Sequence, residues 1–225
     1  MRLPFDKVYC LNISKVQDRR KYMEEMFREN NVENDIIFTE YTDLDFLKNN
    51  KHTHELCRVL YSMFDIHERD NFTKHKENKM INCLSCLANH YQIIKYNYDI
   101  GTDTICVFED DAKITDKELF EHYLNNLPDD WDIIRYGILH WYDFSGDTNL
   151  YNKKIQKECI VGNQCYAMNR KGMELYIDYI TNNRILYADL IWESINTKCN
   201  IYYTKDKLVL PSYKFKSVLN NFVSY

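Results

Sequence analysis

Residues 105 to 108 (ICVF) set four apolar or thiol side chains in succession, and the chain then passes directly into Glu109, Asp110 and Asp111. A short continuous apolar run reads as a strand buried on both faces. A carboxylate in a dry core is costly unless it is paired or bound to a cation, so the three acids cannot share the strand's burial. They must emerge at its carboxyl edge, where an open α/β sheet has its ligand crevice. If strand alternation continues, Glu109 and Asp111 fall on one side and Asp110 on the other. Such a set can hold a hard divalent cation through oxygen, with substrate phosphates supplying the remaining ligands. The competing use is a cap, in which Asp110 or Asp111 closes a turn or starts a helix.

The rest of the chain alternates in the same style. Val8–Ile13 reads as a short buried strand, after which Ser14 can cap a helix carrying Val16, Arg20, Met23 and Phe27 at helical spacing. Ile36–Phe38 reads as a second strand. From Ile81, the residues Leu84, Leu87, Ala88, Tyr91, Ile94 and Tyr98 recur at three and four, which predicts a helix ended by Gly101. A helix from Asp116 to Leu124, a strand in WDIIRYG, a loop over 140–158 and a strand over Ile160–Met168 follow. A helix over Lys171–Ile180, another over Tyr187–Ile195 and a last strand at Ile201–Tyr203 complete the pattern. This alternation predicts an α/β fold with a mostly parallel central sheet. No linker or repeat divides the chain, so one domain over 1–225 is expected. Residues 41–80 interrupt it as a polar excursion containing His52, His54, His67 and His75, whose uneven spacing favours a solvated segment over a metal cluster.

Composition narrows the function. A net charge of -5 offers no basic field to a nucleic-acid backbone. The eight cysteines include one CxxC pair, Cys83 and Cys86, with no second pair to complete a four-thiolate site, and they read as reduced thiols. The N-terminal residues hold no apolar run long enough for a signal peptide, and nothing later spans a membrane. An intracellular chain, with its oligomeric state left open, is the expectation.

Several segments, taken in order, carry a resemblance: VYCLNISKVQDRR, SCLANHYQIIK, ICVFEDDAKI, WDIIRYG, GNQCYAMNRKGMEL, the Asp of YADLIWE and the late Pro211. Their order and spacing over residues 8–212 resemble glycosyltransferase family 25, which includes lipopolysaccharide sugar transferases and collagen galactosyltransferases. The chain departs from that pattern at Ser85, where the family has Gly, at Asn89, where it has Ser, and at Ile94, where Trp is usual.

The resemblance implies a Rossmann-like domain of the GT-A type, a manganese (or magnesium) ion and a UDP-sugar donor. Asp111 and Glu109 would contact the metal and Asp110 the donor's ribose or sugar. Asn12, in the family's opening motif, would meet base or ribose. Arg19 or Arg20 would reach the diphosphate, where a guanidinium fork is apt; a surface pair between Arg20 and Glu24 is the plainer alternative. His90 matches a donor-side His, or else fixes the crevice by bonding a strand end. Asn163 and Gln164, whose amides both donate and accept, would read sugar hydroxyls. Asp189 is the expected base for the acceptor hydroxyl, with Glu193 one helical turn on as the substitute. The implied reaction moves galactose or glucose to a glycan or protein acceptor with inversion. A phosphate-processing enzyme using the same carboxylates and a catalytically silent binding relative are the alternatives.

Overall fold

The computed structural model describes residues 1–12, 17–40, 74–137, 149–153, 162–183, 188 and 191–215; of residues 40, 74–84 and 193 it describes the backbone alone. Most of the polar excursion, residues 41–73 with His52, His54 and His67, lies outside the described residues. So do Ser14, Val16 and Asp189.

The strands are β1 (Lys7–Asn12), β2 (Ile36–Glu40), β3 (Thr104–Phe108), β4 (Ala112–Ile114), β5 (Ile133–Arg135), β6 (Tyr151–Asn152), β7 (Cys165–Asn169), β8 (Ile201–Thr204) and β9 (Val209–Pro211). The helices are α1 (Gln17–Glu29), α2 (Lys74–Asp99), α3 (Lys117–Leu124), α4 (Arg170–Asn182) and α5 (Ile191–Ile195). Seven strands form one sheet in the order β2-β1-β3-β7-β5-β8-β6, and β4 pairs with β9 in a separate ribbon. β1 lies parallel to β2 and β3, and β5 parallel to β8; β7 and β6 run against their neighbours. The fold is therefore mixed α/β and Rossmann-like, with a mostly parallel central sheet, as the alternation of elements predicts.

Alternation along the strands builds two cores. Tyr9, Leu11, Ile105, Val107, Tyr166 and Met168 face α2, α4 and α5. Val8, Cys10, Cys106, Phe108, Cys165 and Ala167 face α1 and α3. β3 is sealed on both faces, with Ile105 through Phe108 wholly buried, which explains its unbroken apolar run. Cys10, Cys86, Cys106, Cys165 and Cys199 are free thiols. No helix among the described residues is long and apolar enough to cross a membrane.

Some boundaries differ from the sequence reading. α2 begins at Lys74, so the polar excursion ends earlier than residue 80. Of the strand expected over Ile160–Met168, residues 160–161 lie outside the described residues, and β7 begins at Cys165 after the chain turns through Gly162 at φ 107°. That backbone conformation suits a residue with no Cβ. Tyr151–Asn152 forms a short strand inside the expected loop, held by the edge of β8. β4 and β9 carry too few residues to show a period, and only their mutual pairing defines them.

At the amino edge of the sheet the carboxylate of buried Asp132 accepts from Asn169 Nδ2 at 3.2 Å, Lys171 Nζ at 2.7 Å and the Asn200 backbone N–H at 2.9 Å. Asn169 also caps α4, its Oδ1 accepting from the Gly172 N–H at 2.9 Å. Gly172 packs so closely here that a Cβ would stand 2.4 Å from the Asp132 carbonyl oxygen. A backbone carbonyl held in a network cannot yield as a side chain does. Gly172→Ala is expected to cost about 1–3 kcal/mol through overpacking, measured as a lower midpoint of urea unfolding.

Candidate active site

The three acids occupy the turn between β3 and β4. The strand ends at Phe108, and the Ala112 N–H donates back to the Glu109 carbonyl at 3.1 Å. One flank of the turn is fixed by β7, where the Glu109 N–H donates to the Gln164 carbonyl at 3.0 Å. The other is fixed by the residue after β9, Ser212, whose N–H donates to the Asp111 carbonyl. A turn does not keep strand alternation, so the expected grouping is not observed. Asp110 and Asp111 face Arg19, and Glu109 faces His90.

On the first side, Arg19 in the opening turn of α1 places Nη1 2.5 Å from Asp110 Oδ1 and 3.8 Å from Asp111 Oδ2. Arg19 and Asp110 are both buried, so this is a charge pair largely withdrawn from water. A single guanidinium cannot balance both acids. Asp111 is pushed up to about 7, first by burial and then by the charges of Glu109 and Asp110, with Arg19 opposing. Its Oδ1 is buried and has no hydrogen-bond partner among the described residues.

On the second side, Glu109 Oε1 lies 3.4 Å from His90 Nε2, and Gln164 Nε2 is 3.3 Å from Glu109 Oε2. His90 is fully buried on α2, and its Nδ1 meets the Tyr166 hydroxyl at 2.8 Å. The Tyr166 side chain is buried in the core, and its hydroxyl also holds this ring. Cys86, one helical turn before His90, joins the group: its Sγ, a His90 ring nitrogen and a Glu109 carboxylate oxygen lie within 4.8 Å of one another.

The remaining predicted residues divide. Asn12 ends β1 beside this edge, buried, with Oδ1 lacking a hydrogen-bond partner among the described residues. Arg20 points away from the acids. Its Nε donates to Glu24 at 3.0 Å, and its guanidinium lies 4.6 Å from the centre of the Phe38 ring. Asn163 is engaged inward, accepting from Trp192 Nε1 at 2.7 Å. Glu193 belongs to α5, where only its backbone is described, and Asp189 lies outside the described residues.

Sequence reading overlooked Arg135, the most buried cation of the region. It donates to the Gly162 carbonyl and lies 5.2 Å and 5.6 Å from the ring centres of Trp192 and Tyr203. The signal was present in DIIRYG, where a charge interrupts a strand.

A buried carboxylate oxygen without a partner, on an acid whose ionised form is undercompensated, is what a bound cation would relieve. In the cation-free chain the folded Asp111 holds a proton that the unfolded chain gives up near its ordinary pKa. Stability from this group therefore falls as pH rises from about 4 to about 7. Asp111→Asn removes that loss. In chelator, the variant is expected to exceed the parent by up to about 4 kcal/mol near pH 8 and to match it near pH 4, measured by urea unfolding.

Comparison with known proteins places these features in a family. The pattern of glycosyltransferase family 25, described as an LPS biosynthesis protein, matches residues 5–192. No curated protein matches the chain. The match includes β1, α1, β3 with its acidic turn, β7 and the opening of α5. The chain belongs to glycosyltransferase family 25.

Proposed function

We propose that the chain is a metal-dependent glycosyltransferase of the GT-A type, moving a hexose from a nucleoside diphosphate to a hydroxyl with inversion. The donor is a uridine diphosphate sugar carrying galactose or glucose, and the acceptor a glycan or a protein. One observation carries the reading. In a member of a sugar-transferring family, the carboxyl end of the central strand bears an acid, Asp111, that its protein neighbours leave undercompensated.

Asp111 and Glu109 would hold the cation, manganese or magnesium. Bound there, such an ion would supply charge neutralisation for the diphosphate leaving group. Arg19 fixes Asp110 so that its carboxylate stays at the crevice edge for the ribose or sugar of the donor. Asn12 offers a buried amide to the base or ribose. Gln164 orients Glu109, and His90 steadies the same carboxylate from the other side. Asn163, tied to Trp192, sets the position of the Gly162–Gln164 segment beside the sugar.

Asp189 takes the proton of the acceptor hydroxyl as its oxygen attacks the sugar carbon. The support for this role is its place in the chain, between buried Ala188 and the helix that carries buried Ile191 and Trp192. Glu193, one turn further, is the alternative base. The requirement is the same as in inverting glycoside hydrolases, with an alcohol in place of water.

The test supplies manganese and a panel of sugar nucleotides, with and without an acceptor extract. The expected result is release of nucleoside diphosphate from one donor, abolished by chelation and by Asp111→Ala. Asp189→Asn should lower kcat by roughly 10²–10⁴ while donor binding persists. Inorganic phosphate as the first product would identify a phosphohydrolase instead. Donor binding without turnover in the presence of acceptor would identify a silent relative.

A further inference from the structure

We infer that Cys86, His90 and Glu109 form a second cation site, selective for a borderline-soft divalent ion of the Zn2+ class. The three residues come from two elements. Cys86 and His90 are i and i+4 on α2 and so project from one face of that helix, while Glu109 meets them from the end of β3. Their donor atoms already lie within 4.8 Å of one another. Zinc binds sulfur at about 2.3 Å and imidazole nitrogen at about 2.0–2.1 Å, which sets neighbouring ligand atoms roughly 3–4 Å apart. His90 Nε2 and Glu109 Oε1, at 3.4 Å, stand at that separation. A rotation of the Cys86 side chain closes the remainder.

What distinguishes this group from a chance cluster is the shell behind it. A ligating histidine normally engages its other ring nitrogen in a hydrogen bond, which fixes ring orientation and tautomer. His90 does so, with Nδ1 2.8 Å from the Tyr166 hydroxyl. Burial holds that phenol far above its ordinary pKa, so it stays neutral beside the ring. With Nδ1–H donating to the Tyr166 oxygen, the tautomer a bound ion would select, Nε2 offers its lone pair to an ion held between the ring and Glu109. The carboxylate is oriented in the same way, Oε2 held by Gln164 Nε2 at 3.3 Å and Oε1 turned to His90. Both ligands thus have one atom anchored behind the site.

The donor chemistry selects the ion. Thiolate, imidazole and one carboxylate suit zinc or cobalt(II), whereas magnesium and manganese prefer oxygen alone. Three protein ligands with Cys86 half-buried leave a fourth position for water. Binding replaces the thiol proton by the metal, so one proton is released per ion bound by this thiol. Glu109 is common to this set and to the all-oxygen set around Asp111, so the two sites are coupled through one carboxylate.

The test uses the intact chain, stripped of metal, and Co2+ as the probe. Titration should give a thiolate-to-cobalt charge-transfer band that saturates at one ion per chain, is displaced by Zn2+ and survives excess Mg2+. Cys86→Ser should abolish the band while circular dichroism keeps its native shape; Cys83→Ser should retain it. A second measurement needs no variant: Zn2+ should slow alkylation of Cys86, followed by peptide mass spectrometry, by roughly tenfold or more, and Mg2+ should not. A band that persists in Cys86→Ser, cobalt bound without a thiolate band, or alkylation indifferent to zinc would each overturn the site. None of these readings depends on transferase activity, so failure here leaves the donor reaction to its own assay.

Discussion

The buried pair of Arg19 and Asp110 is the interaction around which the carboxyl edge of the sheet is arranged. Withdrawing two charges from water costs several kcal/mol per ion, and removing one partner from such a pair typically costs about 3–5 kcal/mol. Arg19 therefore ties the start of α1 to the turn after β3. The tie settles one negative charge out of three. The rest is divided: Glu109 turns to His90 and Gln164, and Asp111 is left short of compensation. A fold that tolerates this arrangement gives up stability at one edge. It recovers it elsewhere, through strands sealed on both faces and the Asp132 network at the opposite edge.

Much of the architecture was legible because burial writes a period into sequence. The unbroken run before Glu109 named the central strand, and spacing at three and four named α2. What the sequence hid was pairing. β4 and β9 are three residues each, too short to display alternation, and each exists by virtue of the other some hundred residues away. β6 is shorter still and is defined by the edge of β8. The antiparallel entry of β7 between β3 and β5 likewise follows from which edges meet in space, which no local pattern records.

At the site, residue type was readable and direction was not. The acidic triplet and its emergence at a strand end followed from the cost of burying charge. Its grouping did not, because a turn at residue 109 replaces the two-fold alternation of a strand. Helical spacing put Arg20 on the stripe with Met23 and Phe27 and favoured it over Arg19; the structure sends Arg19 inward to Asp110 and Arg20 to Glu24 and Phe38. Cys86 and His90 were visibly one turn apart, yet only the packing of α2 on β3 brings Glu109 to them. The Tyr166 ring is core, while its hydroxyl reaches His90.

The stitch between Ser212 and the acidic turn has a consequence for the order of assembly. Residues 109 to 111 leave the ribosome long before residues 209 to 212, yet their carboxyl flank is bounded by the β4–β9 ribbon and the Ser212 N–H. Contacts so far apart in sequence close late, since the loop entropy must be met before they form. The nascent sheet can therefore be built around β1 and β3 while its acids still lie open to water. The crevice takes its final shape as one of the last acts of folding.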